Sequence, residues 1–289
     1  MKDYVTENER ILKEWCDLYV KNNQSNYPTC PNLRDYFAPD GIMYKGDIKP
    51  ETTPFKNGET GFRWKREENG KENEFWTNAP LRVLYLTKDQ NTYDGGYAWD
   101  VRSESFRYPD SSCNPEEYCL YSQCAFFRNL VYSLFGILNT KAGQPRSYDF
   151  TNEEALKFAD KQIFARINCK KEVGSDKCYD NDLKNAIEND KRFLKRQIDN
   201  LDADIFVCCG YSKSIEKTGN RMLNLLNEIG YQFEPEVEDW IYYDVKRNKI
   251  AINSYHLSYL GFDYDGMITA YSEFLKLHPD FTQSHRNEK

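Results

Sequence analysis

Short apolar runs rich in β-branched and aromatic residues recur along the chain, separated by segments whose apolar positions have helical spacing. The runs predict strands at residues 81–87, 163–168, 204–209 and 249–254. Each run is apolar on successive residues, which is typical of a strand buried on both faces of a parallel sheet. The spaced segments predict helices near residues 116–138, 151–160, 181–200, 212–229 and 266–277. Strands that alternate with helices imply right-handed crossovers, so we expect an α/β fold, a three-layer α/β/α sandwich with a central, mainly parallel sheet.

The first 80 residues lack this alternation. One apolar face predicts a helix over residues 7–22, whereas residues 23–80 are rich in Pro, Gly, Asn and charged residues. The chain length suits one large core with an appended segment. We therefore expect a single α/β domain over residues 1–289, in which a helix and loop-rich arm (residues 1–80) packs on a core (residues 81–277).

Charge and apolar content narrow the possible partners. The net charge of −7 disfavours a broad electrostatic hold on nucleic acid, although it leaves room for a local basic rim such as Lys170-Lys171. No apolar run approaches the roughly 18 residues of a membrane span, and the N-terminus lacks the apolar stretch of a secretory signal. We therefore expect a cytoplasmic protein, a monomer, with no membrane contact.

The cysteines favour no metal site. There are nine, an odd number, scattered along the chain and without a Cys-x-x-Cys pair. The one cluster is Cys113, Cys119 and Cys124. Because the usual zinc spacings are missing, reduced and mostly packed thiols are the better interpretation, and no metal or other cofactor is expected.

Polar side chains follow each predicted strand. They occur in Thr87-Lys-Asp-Gln-Asn91, Asn168-Cys-Lys-Lys171, Gly210-Tyr-Ser212 and Ser254-Tyr-His-Leu-Ser258. Because ligands of such sheets bind beyond the carboxyl ends of the strands, Asp89 and His256 are candidates for an acid/base pair. No glycine-rich phosphate loop follows the first strand and no Gly-x-Ser-x-Gly elbow occurs, which disfavours a nucleotide-binding fold and a serine hydrolase.

The order of these motifs resembles that of the uracil-DNA glycosylase superfamily. There the first strand ends in a motif such as Gly-Gln-Asp-Pro-Tyr, a later strand offers an Asn, and the last ends in His-Pro-Ser. Here Thr87–Asn91, Asn168 and His256–Ser258 stand at those places. The likeness spans residues 40–277, with a Thr in place of the Gly, and with Gln90 and Leu257 in place of the two prolines.

The resemblance implies hydrolysis of the N-glycosidic bond of a uracil or other modified base that is flipped out of DNA. Asp89 would stabilise the cationic sugar and orient water, and His256 would donate a hydrogen bond to the base oxygen as charge builds there. Asn168 would read the base edge, with its fixed acceptor and two donors.

The resemblance also implies contacts that hold the substrate. Asn91 stands where uracil-specific relatives carry a Tyr that excludes thymine, so a different or more permissive base pocket is expected. Trp99 is a candidate for stacking on the flipped base. The expected contacts to single- or double-stranded DNA come from Lys170, Lys171, Ser258 and Ser212.

Other interpretations of the same residues stay open. Asp89 could be a turn former or helix cap, and His256 a structural group after a strand. The chain could then be a catalytically silent nucleic-acid or nucleotide-binding module with the same fold. A third possibility is a hydrolase that uses Asp89 and His256 on small molecules.

Overall fold

The computed structural model describes residues 2–24, 32–54, 60–90, 98–107, 120, 124–174 and 178–281. The described strands are β1 (Gly41–Ile42), β2 (Ile48–Pro54), β3 (Thr60–Arg66), β4 (Val83–Thr87), β5 (Ala165–Asn168), β6 (Ile205–Cys209), β7 (Glu234–Val237), β8 (Ile241–Asp244) and β9 (Lys249–Ser254). The described helices are α1 (Tyr4–Asn23), α2 (Glu72–Asn78), α3 (Ala125–Asn139), α4 (Asn152–Lys161), α5 (Asp180–Leu201), α6 (Arg221–Glu228) and α7 (Tyr264–Leu277). Short 3-10 turns cover Leu33–Tyr36 and Val101–Ser103.

A seven-stranded mixed sheet, in the order β1-β5-β4-β6-β9-β8-β7, forms the centre of the fold. Its four middle strands, β5, β4, β6 and β9, are parallel, and antiparallel strands complete both sides. The expected α/β class is therefore confirmed, with a sheet that is mostly parallel. β2 and β3 form a separate antiparallel hairpin.

Both faces of the sheet are covered, which explains the unbroken apolar runs of its middle strands. In β4, Leu84 and Leu86 pack into one apolar cluster with residues of α1, α5 and α6. Val83 and Tyr85 point into a second cluster with residues of α3, α4 and α7. Every residue of β4 is buried. Helices thus lie on both sides of the sheet. Because both faces of a middle strand pack against apolar side chains, its residues are apolar at successive positions and do not alternate with polar ones.

The four strands predicted from apolar runs all form, but two predicted helices are shorter than expected. α3 begins at Ala125, not near residue 116, since Leu120 forms an antiparallel bridge with Arg107. α6 begins at Arg221, not near residue 212. Its first turn is capped by the Asn220 side chain, which accepts a hydrogen bond from the Met222 backbone. Gly219, just before the cap, has φ of +73°, a conformation that stops a helix from extending backwards.

The N-terminal segment contains more regular structure than a loop-rich arm. Within residues 23–80, the structure describes β1, the β2–β3 hairpin and α2. β1 pairs with β5 and becomes one edge of the central sheet. At the opposite edge lies β7, an exposed strand with a register shift against β8 between Pro235 and Val237. Within the described part of the chain, no helix is long and apolar enough to cross a membrane.

A buried ion pair joins the N-terminal segment to the sheet. The ammonium group of Lys171 lies 2.7 Å and 2.5 Å from the two carboxylate oxygens of Asp40, and both residues are almost fully buried. The same carboxylate accepts hydrogen bonds from the Gln197 side chain of α5, at 2.8 Å, and from the Asn168 backbone N–H, at 2.7 Å. The Asn8 side chain of α1 donates to the Asp40 carbonyl at 2.8 Å. Asp40 therefore connects α1 through its backbone carbonyl, and α5 and the end of β5 through its carboxylate.

Removing the cation of this pair should strongly destabilise the fold. Lys171→Met leaves the Asp40 carboxylate buried without its cation, so we expect the free energy of unfolding to fall by about 3–5 kcal/mol in urea denaturation. The control is Lys184→Met, which removes an exposed pair 3.8 Å from Glu188 and should cost less than about 1 kcal/mol.

A second substitution tests the mechanism. Adding Asp40→Leu to Lys171→Met removes the uncompensated charge, so the double variant should be more stable than Lys171→Met alone. Equal losses for Lys171→Met and Lys184→Met would contradict the importance of the buried pair.

Candidate functional site

The topology of the sheet indicates that the candidate site lies at the carboxyl ends of the parallel strands, near β4. The chain passes from β4 to β5 on one side and then to β6 on the other side of β4. In open α/β sheets, ligands bind at such a switch point, beyond the carboxyl ends of the strands. The registers pair Thr87 with Asn168 and Cys209 with Ser254, so the strand ends are level. Asp89 and His256 follow directly after this edge.

Asp89 lies in a tight, largely enclosed place. Its side chain is 8% exposed, and its Oδ2 lies 3.8 Å from the ammonium of Lys170. A Cβ added to Gly174 would lie 2.2 Å from the same oxygen, so a larger residue there would displace the Asp89 carboxylate. Burial raises the pKa of Asp89, against the opposing effects of Lys170, a hydrogen bond from Cys178 and Lys88. Within the described residues, Oδ2 has no hydrogen-bond partner.

The Cys178 thiol is a hydrogen-bond donor to this carboxylate and not a reactive group. Burial, together with the negative charge of Asp89, raises the pKa of Cys178 to about 12. The thiol therefore stays protonated at neutral pH and keeps the hydrogen that it donates.

Asn168 is fixed in orientation and fully buried. The Thr87 hydroxyl donates to its Oδ1 at 2.6 Å, and its backbone N–H donates to Asp40. The Nδ2 amide group, in contrast, has no hydrogen-bond partner among the residues that the structure describes. Since buried polar groups are normally bonded, this unsatisfied donor group is an exception that needs an explanation.

His256 is held in one tautomer and is uncharged at neutral pH. Its Nδ1 lies 2.6 Å from the Ser258 hydroxyl and 3.3 Å from the Ser258 backbone nitrogen. A backbone N–H can only donate, so Nδ1 accepts and the ring proton is on Nε2. Burial, with the positive charges of Lys88 and Arg166, lowers the pKa of His256 to about 4. The imidazole therefore presents a neutral N–H donor.

Asp89 and His256 share an electrostatic neighbour without touching. Among the described residues there is no hydrogen bond or ion pair between the two side chains. Lys88, between the β4 end and Asp89, is close enough that its positive charge acts to lower the pKa of both groups. The sequence order predicted that Asp89 and His256 follow one edge of the sheet, whereas the effect of Lys88 on both groups was not predicted.

A buried chain of polar contacts, absent from the sequence-based prediction, supports Asn168. The Trp99 indole N–H donates to Glu104 at 3.1 Å, and Glu104 forms an ion pair with Arg166. Arg166 donates from Nε to the Thr87 hydroxyl at 3.3 Å, and Thr87 in turn donates to Asn168. The available signal was Arg166 itself, an arginine within an otherwise apolar strand run.

The same arginine also reaches the surroundings of His256. The Arg166 guanidinium lies 4.5 Å from the centre of the Phe126 ring. That ring is 6.1 Å, centre to centre, from the imidazole of His256. Trp99 itself is anchored, because its backbone bonds to the Gln90 side chain and Arg63 lies over its ring at 5.4 Å.

The two lysines predicted to contact DNA have different surroundings. Lys171 is buried and its ammonium is bound to Asp40, so the prediction that it contacts phosphate is wrong. The side chain of Lys170 is 17% exposed and donates to the Glu172 carbonyl at 3.0 Å. Its charge acts on Asp89 and reaches solvent only in part.

The remaining predicted contacts are distributed along the edge. Ser258 is exposed and its hydroxyl is bonded to His256. Ser212 is partly buried and its hydroxyl lies 2.8 Å from that of Ser214. Asn91, Cys113 and Cys119 lie outside the described residues.

These side chains give the site a defined chemical capacity. It holds a buried carboxylate with one unbonded oxygen, an amide with two unbonded hydrogens, and a neutral imidazole N–H donor. Such a set can stabilise a cation, donate to a carbonyl and support a developing anion. Comparisons of the chain with protein-family models, curated proteins and solved structures find no match.

The protonation state of His256 can be measured directly. We expect ¹⁵N NMR of the ring to show the Nε2–H form at neutral pH and a titration midpoint near pH 4 instead of 6.5. A midpoint near 6.5, or a proton on Nδ1, would contradict the assigned environment.

This depressed pKa also predicts a pH dependence of stability. Between pH 6.5 and about 4 the unfolded chain binds a proton at His256 that the folded protein does not. The contribution of His256 to the free energy of unfolding should therefore be fully present above this window and should decrease as the pH falls through it. His256→Gln should make the curve shallower in this window alone, as measured by thermal unfolding at each pH.

Proposed function

We propose that the chain is a DNA glycosylase-like hydrolase with a uracil-DNA glycosylase-like fold, which cleaves the N-glycosidic bond of a flipped uracil or other modified base. The observation that carries this proposal is the pair of buried polar atoms, Asp89 Oδ2 and Asn168 Nδ2, that lack hydrogen-bond partners in the described part of the chain. An unsatisfied buried polar group costs about 1–3 kcal/mol, so two beside one strand edge favour a ligand that binds both.

Asp89 supplies the charge that this reaction needs at the sugar. Breaking the N-glycosidic bond leaves positive charge on the sugar, and a carboxylate beside it stabilises that charge and orients the attacking water. Burial opposes ionisation of Asp89, whereas Lys170 and Lys88 favour it. A carboxylate that is poorly solvated interacts strongly with a cation that appears beside it.

His256 acts on the opposite charge. The departing base becomes negative, and the Nε2–H group donates a hydrogen bond to its oxygen. The neutral imidazole can fill this role because Nδ1 accepts from the Ser258 backbone and the ring hydrogen is therefore on Nε2. One such donor is typically worth about 3–4 kcal/mol in the transition state.

Asn168 favours a base with a carbonyl at the edge that it reads. Its Oδ1 already accepts from Thr87, and the unfilled positions are the two Nδ2 hydrogens. Two donors pair with a carbonyl oxygen, as in uracil, and not with the exocyclic amine of cytosine. This arrangement supports a uracil-type edge in the substrate.

Leu260 fits the physical demands of base flipping. It lies on the loop that follows His256, and its side chain is 88% exposed. Extruding a base leaves a gap in the stack, and apolar side chains inserted at such steps reduce the cost of unstacking.

One observation favours the silent binding module as the second candidate. Asp89 lies against Gly174 and 3.8 Å from Lys170, as a purely structural carboxylate would. In that case the same edge would bind a nucleotide without cleaving it. Excision measurements separate the two functions.

The test is single-turnover excision from oligonucleotides bearing uracil and a panel of modified bases. Asp89→Ala and His256→Ala should each slow the chemical step by about 100-fold or more, since both groups act on charge that appears in the transition state. Affinity for DNA should remain nearly unchanged. Asp182→Ala, an exposed carboxylate in the first turn of α5, is the matched control and should retain full activity.

Two outcomes would count against the proposal. If the unaltered protein binds oligonucleotides but excises no base in the panel, the silent module is the correct function. If Asp89→Ala excises bases at the unaltered rate, the role assigned to this carboxylate is wrong.

A further inference from the structure

Four aromatic side chains form a contiguous group beside His256. Tyr255 is at the centre, with ring-centre distances of 5.3 Å to Tyr211, 6.2 Å to Trp240 and 5.2 Å to Tyr259. We call these four residues the Tyr255 cluster. All four are partly or well exposed, and Tyr259 is 52% exposed. An aromatic group of this kind on the surface needs an explanation beyond core packing.

Two glycines leave room for rings of the Tyr255 cluster. A Cβ at Gly219 would lie 2.6 Å from the Tyr211 ring, and one at Gly261 would lie 2.8 Å from the Tyr259 ring. Each ring therefore lies directly against the backbone, and any larger residue would displace it. Tyr211 and Tyr259 also pack against the Tyr255 ring, and rings that are already packed lose less freedom when a ligand binds.

The Tyr255 cluster is continuous with the candidate site. Tyr255 directly precedes His256, and the Tyr259 backbone N–H donates to the His256 carbonyl at 2.8 Å. The Tyr211 backbone N–H donates to the Ser254 carbonyl at 2.9 Å, which ties the β6 exit to the β9 exit. A DNA strand whose flipped base reaches His256 must therefore pass close to these rings.

The charges around the rings favour contacts to bases over contacts to phosphates. Lys213 and Lys217 are exposed on the loop after Tyr211, but Glu216 lies between them. Glu238 and Asp239 are exposed next to Trp240. These neighbouring side chains carry no excess of positive charge that would bind phosphates. The surface therefore favours binding through the faces of its aromatic rings.

We propose that the Tyr255 cluster is a stacking surface for the unpaired nucleotides that flank the flipped base, which makes single-stranded DNA the substrate class. The inference rests on the proposed function, since it takes the base to lie at His256. Bases in a duplex are stacked between neighbouring base pairs, so their faces cannot contact protein side chains. Unpaired bases can stack on protein aromatics regardless of sequence. Contacts made through bases also depend weakly on salt, unlike contacts to phosphates.

The test uses a fluorescently labelled oligothymidine of about 10 nucleotides, which contains no modified base, and measures binding by anisotropy. We expect Tyr255→Ala and Tyr259→Ala each to weaken binding by about tenfold, and Tyr255→Phe, which keeps the ring, to bind normally. The matched control is Tyr148→Ala, because Tyr148 is 51% exposed but lies outside the cluster. Circular dichroism and thermal unfolding verify that each variant is folded.

The same measurement on the duplex form and at increasing salt completes the test. We expect weaker binding to the duplex and a shallow loss of single-strand affinity with salt. Tighter binding to the duplex, a loss for Tyr148→Ala as large as for Tyr255→Ala, or no single-strand binding at all would overturn the proposal. So would dissociation of a dimer by Tyr255→Ala in sedimentation, since the surface would then bind a second copy of the chain.

Excision is scored separately, so the two proposals can fail independently. If Asp89 and His256 variants lose excision while Tyr255→Ala keeps single-strand affinity, the stacking surface is wrong and the proposed function stands. If Tyr255→Ala loses affinity in a protein that excises no base, the surface binds single strands and the proposed function is wrong.

Discussion

The Asp40 carboxylate is the point on which the scaffold and the candidate site both depend. It neutralises Lys171 in the interior and accepts from the backbone of Asn168, while Lys171 donates to the Asn168 carbonyl at 2.9 Å. The residue that reads the ligand in our proposal is thereby held from its backbone side by an ion pair that also anchors α1 and α5. A buried ion pair adds little net stability, but it tolerates little displacement, because any shift exposes an uncompensated charge.

Burial sets the protonation states along the carboxyl edge. It acts against the charged form of every group, so it raises the pKa of Asp89 and lowers that of His256. Lys88 moves both values in the same direction, which favours a carboxylate at Asp89 and a neutral ring at His256. Lys88 thus favours different charges on the two groups at one pH, while burial has the larger effect on the pKa of each, and a reaction that separates charge requires such a difference.

Apolar runs predicted the four middle strands because residues buried on both faces leave a local signature. The positions of Asp89, Asn168 and His256 at the strand ends could be predicted for the same reason, since these residues follow those runs. The different burial of Lys170 and Lys171 could not be predicted. Asp40 lies 131 residues before Lys171, and the two lysines look alike in sequence. The Glu104–Arg166 pair and the Tyr255 cluster likewise depend on contacts between distant segments, which a single sequence does not display.

The form of β7 has a consequence for the behaviour of the protein at high concentration. Edge strands with free N–H and C=O groups are templates for pairing with other chains, and natural proteins protect them with charges, proline and bulges. β7 has all three, since Glu234, Pro235 and Glu236 lie on an exposed strand with a shifted register. Growth of the sheet by addition of another chain at this edge is therefore disfavoured, which lowers the risk of β-type aggregation.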